Sequence, residues 1–371
     1  MVCGKYEHIK IQREIMDLSS FYKNKKVLIT GHTGFKGSWM SLVLLHLGAK
    51  VYGYALEPDT EPNLYELCNL KNKMPSYIGD VRDLEHMQRV FDEVQPEIVI
   101  HMAAQPLVRE SYNRPVYTYE TNVMGTVNVL ECVRNTPSVK SVVNVTTDKV
   151  YKNIEQNIGY VETDTLDGYD PYSNSKSCSE LVTSSYINSF LKEQGVAVST
   201  VRAGNVIGGG DFAADRIIPD CVRAGMNGED IIIRNPYSIR PFQHVLEPVV
   251  AYLMVAMEQW NDRSKCGSYN VGPADEDCWT TGKLADLFCK KWSDIIGHEI
   301  KWINKHDGGP HEAGFLKLNC AKIHDTFGWS PKWDMFTNME KIIQWTKIYM
   351  EGSKSEVLAC MNNQINEYIS L

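Results

Sequence analysis

The chain has 371 residues, a hydrophobic fraction of 43% and a formal net charge of -8: enough apolar side chain for a large α/β domain with a smaller one appended, and no basic stripe for nucleic acid. Ten cysteines without a C-x-x-C pair imply neither a metal site nor a disulfide framework, and read as reduced thiols in the cytoplasm. No run reaches membrane-spanning length and the charged start MVCGKYEHIKIQRE lacks a signal-peptide core, so a small-molecule substrate and no membrane role are expected. Residues 1–20 read as an extension ahead of the first strand. A short apolar strand is expected over 25–30 and an apolar helix over 37–47, stopping near Gly48. Between them runs Thr30-Gly31-His32-Thr33-Gly34-Phe35-Lys36-Gly37, with glycines spaced G-x-x-G-x-x-G. Gly31 allows the tight turn, Gly34 lets backbone approach a pyrophosphate, and Gly37 lets helix and strand pack closely beneath it. Together with Thr33, Phe35 and Lys36 these residues make a candidate dinucleotide site, the alternative being a structural turn.

Further along, strands are expected over 50–55, 76–79, 97–101, 141–146 and 196–201, and helices over 83–94, 115–135, 172–194 and 245–257. This alternation predicts an α/β fold with a Rossmann-type doubly wound parallel sheet. From Gly204 onward Gly, Pro and isolated basic residues collect in loops, as in a smaller, interleaved C-terminal substrate-binding lobe above the sheet's carboxyl edge. The expected division is 21–203 for the dinucleotide, with 240–260 returning to it, and 204–371 mainly for substrate. Asp80, followed by Val81, closes a strand where its carboxylate suits an adenine amine; Asp83 is the better helix cap. Ala103, Ala104 and Gln105 follow another strand with side chains small enough for a ribose to lie close, or simply to pack. No acidic residue stands at the end of the second strand to take a ribose 2′-hydroxyl, Glu57 and Asp59 being displaced substitutes, and no Arg stands there for a 2′-phosphate. NAD is therefore favoured over NADP.

Tyr172 and Lys176, four apart at the start of a helix, project from one face. An ammonium near a phenol, together with a positive nicotinamide, lowers the phenol toward the range of a general base, although the same spacing also occurs in ordinary surface pairs. Their place after a strand ending Thr146-Thr147-Asp148-Lys149 adds to the functional reading. Here the chain resembles the extended short-chain dehydrogenase/reductase superfamily, and within it the CDP-glucose 4,6-dehydratases, from about Phe21 to Trp345. The segments are TGHTGFKGSW, HMAAQPLVRESY, TNVMGT, TTDKVY, DPYSNSK, RAGNVIGGGDFAADRIIPD, RPFQHVLEP and PHEA.

The resemblance implies NAD as cofactor, a nucleotide sugar such as CDP-glucose as substrate, a homodimer or dimer of dimers paired through helices 115–135 and 172–194, and a place in deoxysugar and O-antigen biosynthesis. It implies that Tyr172 takes the sugar 4-hydroxyl proton, Lys176 holds the nicotinamide ribose, Thr147 binds the 4-oxygen and Asp148 protonates the departing 6-hydroxyl. Lys149, where many dTDP-glucose enzymes carry Glu, is the C5 base, a cationic stabiliser of the enolate, or a structural partner of Asp148. Asn122, Thr146 and Ala203 join the cofactor set by the same resemblance, and Arg109, Asn205, Arg216, Arg240, His244 and His311 the substrate set. Val150, Phe212 and Phe242 depart from the family's usual Cys and Trp, which bears on fit more than on chemistry. The competing readings are a nucleotide-sugar 4-epimerase, which needs no acid like Asp148, and a non-catalytic NAD-binding sensor.

Overall fold

The computed structural model describes residues 18–305 and 314–371. One sheet holds seven strands: β1 Lys26–Thr30, β2 Lys50–Ala55, β3 Ser76–Ile78, β4 Ile98–His101, β5 Ser141–Val145, β6 Ala197–Ala203 and β7 Ser268–Val271. Their order is β7-β6-β5-β4-β1-β2-β3, parallel at every pairing, which is the Rossmann-type doubly wound sheet expected from the alternation. In β1, Val27 and Ile29 enter one core and Leu28 the other, so a strand covered on both faces reads as one apolar run. Helices α1 (Phe35–His46) and α5 (Leu246–Asn261) cover the first face. On the second face lie α2 (Leu84–Val94) and α3 (Gly125–Arg134), with α4 (Pro171–Tyr186) beside them. Asp83 caps α2, accepting the His86 N–H at 2.9 Å.

Two long helices differ from expectation by carrying π-turns, at Glu120–Met124 ahead of α3 and at Ile187–Leu191 after α4. The first re-aims Asn122 toward the loop after β4, where it accepts the Gln105 N–H at 2.8 Å and donates to the Gln105 carbonyl at 3.1 Å. No strand was expected at 268–271, because SYNV mixes polar and apolar residues; its Asn270 is fully buried and satisfied by hydrogen bonds to Tyr160 and Asn319 carbonyls.

A separate apolar core gathers around Trp279, Phe288, Trp292 and Met339. Short strand pairs frame it: Ile231–Ile233 with Trp302–Asn304, Ile239–Arg240 with Trp279–Thr280, and Val206–Ile207 with Gln243–His244. This smaller lobe interleaves with the sheet domain, since α5 and β7 return to the sheet between its segments. No helix among the described residues is long and apolar enough to cross a membrane.

Candidate active site

A cleft of about 1140 Å³ opens where the strand order reverses, outside the carboxyl ends of β1 and β4, and the smaller lobe forms its far wall. The glycine turn builds its floor. Gly31 has φ +80°, and a Cβ there would stand 2.8 Å from the Ala103 nitrogen; one on Gly37 would stand 2.1 Å from the Gly31 carbonyl oxygen. Gly34 opens α1 with no side-chain cap, and the first turn carries no acidic residue. The free N–H groups therefore face the cleft, an anion cradle that a dinucleotide pyrophosphate fits. Thr33 ties this loop to the end of β2, donating to the Leu56 carbonyl at 2.9 Å.

Gly31, Thr33, Gly34, Phe35, Lys36, Gly37, Asp80, Val81, Ala103, Ala104, Gln105, Thr146 and Ala203 all line the cleft, as do Glu57 and Asp59. Asp80 is paired with Arg82, whose guanidinium donates to it at 2.7 Å and holds its carboxyl below the usual range. Lys36 is pushed down to about 7, first by burial and then by the charges of Arg216 and Lys176. Asn122 is absent from the lining. It sits one layer back, holding the Gln105 backbone and donating to Ser175 Oγ at 2.9 Å.

Thr147, Asp148, Lys149, Tyr172 and Lys176 converge on one stretch of the cleft wall. Asp170 starts α4 by accepting the Ser173 N–H at 3.0 Å, and Pro171 occupies the first turn, where its missing N–H costs nothing. That start sets Tyr172 in the cleft lining. Along α4 a polar face meets the end of β5: Asn144 donates to Ser179 and Thr183 at 3.0 and 2.8 Å, and Lys176 Nζ to the Val145 carbonyl at 3.1 Å. Thr147 donates to Asp148 Oδ1 at 3.0 Å, and Asp148 Oδ2 is buried with no hydrogen-bond partner among the described residues. Burial raises the Asp148 carboxyl above its ordinary range, opposed by Lys149, Thr147 and Arg240. A carboxyl that burial makes a weaker acid than usual, with one oxygen free of protein partners among the described residues, is suited to hold and then donate a proton.

Burial lifts the Tyr172 phenol to about 12, and the neighbours that act against it are Thr147, through its hydrogen bond, and Arg216, through its charge. Lys176 itself is pushed down to about 8 by burial, with Glu180 acting the other way. His244 is not at the cleft. It is fully buried between Trp39 and Trp333, at ring distances of 5.8 and 4.8 Å, and burial depresses it to about 3. The aromatic cage excludes charge, so this histidine packs as a neutral ring.

Arg109, Asn205, Arg216 and Arg240 line the cleft. Arg216 pairs with Asp211 at 2.8 Å, and Arg240 is 7% exposed on the strand facing Trp279–Thr280. His311 lies outside the described residues. The lining also contains Arg234, Asn235 and Ser238, which no motif singled out; the signal available was the basic, Pro-rich run IRNPYSIRPF itself. Among the described residues no three His, Cys, Asp or Glu side chains are grouped as metal ligands.

Residues 28–342 match the family model described as GDP-mannose 4,6 dehydratase. The chain belongs to the GDP-mannose 4,6 dehydratase family. It is 47% identical over 357 residues to the CDP-glucose 4,6-dehydratase of Salmonella typhimurium, covering 95% of this chain and 98% of that one. Identity to the dTDP-glucose 4,6-dehydratase of Haemophilus influenzae is 24% over 350 residues, or 89% and 99% of the two chains. The solved dTDP-glucose 4,6-dehydratase of Bacillus anthracis, in complex with NAD, superposes with TM-score 0.72 at 21% identity, over 90% of this chain and 99% of that one. A UDP-glucose 4-epimerase of Thermus thermophilus, also in complex with NAD, gives 0.74 at 24%, over 86% and 98%. Dehydratases and epimerases thus share the fold of the GDP-mannose 4,6 dehydratase family, and fold alone does not choose between them.

Proposed function

We propose that this chain is an NAD-dependent CDP-glucose 4,6-dehydratase, converting CDP-D-glucose to CDP-4-keto-6-deoxy-D-glucose. The observation that carries the reading is Asp148: a buried carboxyl whose pKa burial raises, with one oxygen that has no hydrogen-bond partner among the described residues, beside Thr147 and lining the same cleft as Tyr172. A 4-epimerase moves a hydride at C4 and has no leaving hydroxyl to protonate. The 47% identity to a CDP-glucose 4,6-dehydratase over nearly the whole chain supports the choice of sugar nucleotide.

When bound, NAD supplies a cationic nicotinamide that accepts hydride from C4 and returns one to C6. Tyr172 takes the 4-hydroxyl proton, with Thr147 holding the 4-oxygen. Lys176, inside hydrogen-bond reach of the strand end, holds the nicotinamide ribose. Lys149 acts at C5 as base or as enolate stabiliser, and Asp148 delivers its proton to the departing 6-hydroxyl. Arg216 and Arg240 face the diphosphate, with Arg109 and Asn205 along the same wall. Residues 21–203, with 240–260, carry the dinucleotide and 204–371 mainly the sugar nucleotide.

The outer faces of the two π-turned helices expose Val116 (70%), Met124 (50%), Leu181 (59%) and Phe190 (40%), which supports a homodimer paired through them. Sedimentation should give a dimer or a dimer of dimers; a monomer at micromolar concentration contradicts the pairing. The free thiols at the described cysteines support a cytoplasmic location. Incubation with NAD and CDP-, dTDP-, GDP- and UDP-glucose tests the function: the alkali-sensitive absorbance of a 4-keto sugar should develop with CDP-glucose, and its absence with every sugar refutes the reading.

A further inference from the structure

One buried charged pair takes no part in the chemistry above. Glu180 and Arg202 are 4% and 3% exposed, and the guanidinium grips the carboxylate as a fork, Nε to Oε1 at 3.0 Å and Nη2 to Oε2 at 2.9 Å. The carboxylate also accepts from Thr146 Oγ1 at 2.5 Å and Thr200 Oγ1 at 2.6 Å. Arg202 Nη1 donates to the Tyr151 hydroxyl at 2.8 Å and to the Glu162 carbonyl at 3.0 Å, and Tyr151 donates onward to Asn270 Oδ1 at 2.6 Å. A buried ion pair is weak evidence for stability, since an apolar replacement is often as stable. What distinguishes this one is where it reaches: Thr146 and Tyr151 are the residues on either side of the segment 147–150, which contains Thr147, Asp148 and Lys149.

We propose that Glu180 and Arg202 are positioning residues, a clamp that brackets the Thr147-Asp148-Lys149 turn through Thr146 and Tyr151 and fixes it against Lys176 on α4. Lys176 lies one helical turn before Glu180, so the proton-transfer groups on α4 and those on the turn are referred to a single rigid point. Among the described residues, the charged and titratable groups that act on Lys176 from other elements are Lys36 of α1 and His101 of β4, and Glu180 is the negative charge that favours its ammonium. Asn270 belongs to β7, so the clamp also ties the turn to the strand through which the chain re-enters the sheet.

The clamp rests on the dehydratase reading, and step-resolved kinetics separate the two. Tyr151→Phe removes the grip on the far side of the turn without leaving a charge unpaired. Oxidation at C4 is led by Tyr172 on α4 with Thr147, at the end of the turn that Thr146 still holds, whereas elimination needs Asp148 and Lys149, toward the Tyr151 end. In single turnover with CDP-glucose and NAD, the variant should build up enzyme-bound NADH that the wild type does not. Its kcat should fall on the order of tenfold to a hundredfold, as for a small misplacement of reacting groups, with KM for CDP-glucose held and the melting temperature lowered somewhat by the buried Asn270 oxygen that loses its donor. Glu180→Gln should show the same stalled partition more strongly, and Glu180→Asp should partly restore it; if Glu180→Gln does not fold, Tyr151→Phe decides. A folded Tyr151→Phe enzyme with wild-type kcat, or one slowed with no NADH signal, overturns the clamp. A wild type that makes neither NADH nor 4-keto product refutes the dehydratase reading, and the clamp falls with it.

Discussion

Replacing Gly37 by alanine should damage fold and cofactor binding together. The new Cβ would lie 2.1 Å from the Gly31 oxygen, 2.6 Å from His32 Cα and 2.9 Å from the Gly31 carbonyl carbon, whereas comfortable contacts between carbons lie at about 3.5–4.0 Å. The shortfall is roughly 0.6–1.4 Å for the two carbons, and every atom met belongs to the backbone, so no side chain can swing aside. Helix α1 must slide away from β1, at an overpacking cost of about 1–3 kcal/mol. The same slide moves the uncapped N–H groups off the pyrophosphate, and a displacement of that size costs on the order of a hundredfold where geometry matters. Thermal melting and quenching of tryptophan fluorescence by NAD would read both effects. Gly34→Ala is the control, because its Cβ meets only the Gly31 oxygen at 3.6 Å, an ordinary contact. It should melt like the wild type and weaken NAD alone. A Gly37→Ala protein with wild-type melting and NAD affinity refutes the reasoning, as does a Gly34→Ala protein destabilised to the same degree.

Tyr172→Phe should bind NAD yet neither reduce it nor release product; turnover near wild type would remove the phenol from its role. Asp148→Asn should oxidise C4 and then stall, with NADH accumulating in a single turnover, and the acid assignment fails if none appears. Lys149→Met should suppress solvent-deuterium exchange at C5 while C4 oxidation stays measurable if Lys149 is the base, whereas substantial activity in Lys149→Arg marks it as a cationic stabiliser. Normal exchange and high activity in the Met variant would exclude both. Glu247 is buried under the Lys332 and Trp333 N–H groups and the Tyr368 hydroxyl, and burial pushes it from 4.5 up to about 7. Between those values the folded chain keeps a proton that the unfolded chain has lost, so stability is greatest below pH 4.5 on this account and declines as pH rises to about 7, by roughly 3 kcal/mol. Glu247→Gln should flatten that decline in urea melts taken across the window; an unchanged slope would contradict it.

The parallel sheet was legible because both of its faces are covered, so that β1 and β4 carry the unbroken apolar runs 27–29 and 98–100 between turn and helix signals, and β5 keeps three valines around its single Asn144. β7 was not, because its central Asn270 is polar and finds its partners only in distant loops. The cofactor turn could be read locally, since each glycine answers a contact within a few residues or in the adjoining strand. His244 could not: its neighbours Trp39 and Trp333 come from opposite parts of the chain, and a histidine beside a candidate arginine loop looks the same whether it faces ligand or core. The rise in Tyr172 is likewise a property of the assembled pocket, where burial outweighs every neighbour. Glu180 carried no local motif and Arg202 only opens the segment RAGNVIGGG with no role attached to it, so their relation to the turn appears only once α4 and β6 are side by side.

The claim that one cofactor molecule carries hydrogen from C4 to C6 within a single turnover is tested most directly with CDP-glucose deuterated at C4 and unlabelled NAD in water. The product should be CDP-4-keto-6-deoxyglucose with the deuterium in its new methyl group, read by NMR or mass spectrometry. Label returned to C4 of an epimerised sugar that keeps its 6-hydroxyl, or a 6-deoxy product whose methyl carries no deuterium, would contradict the account.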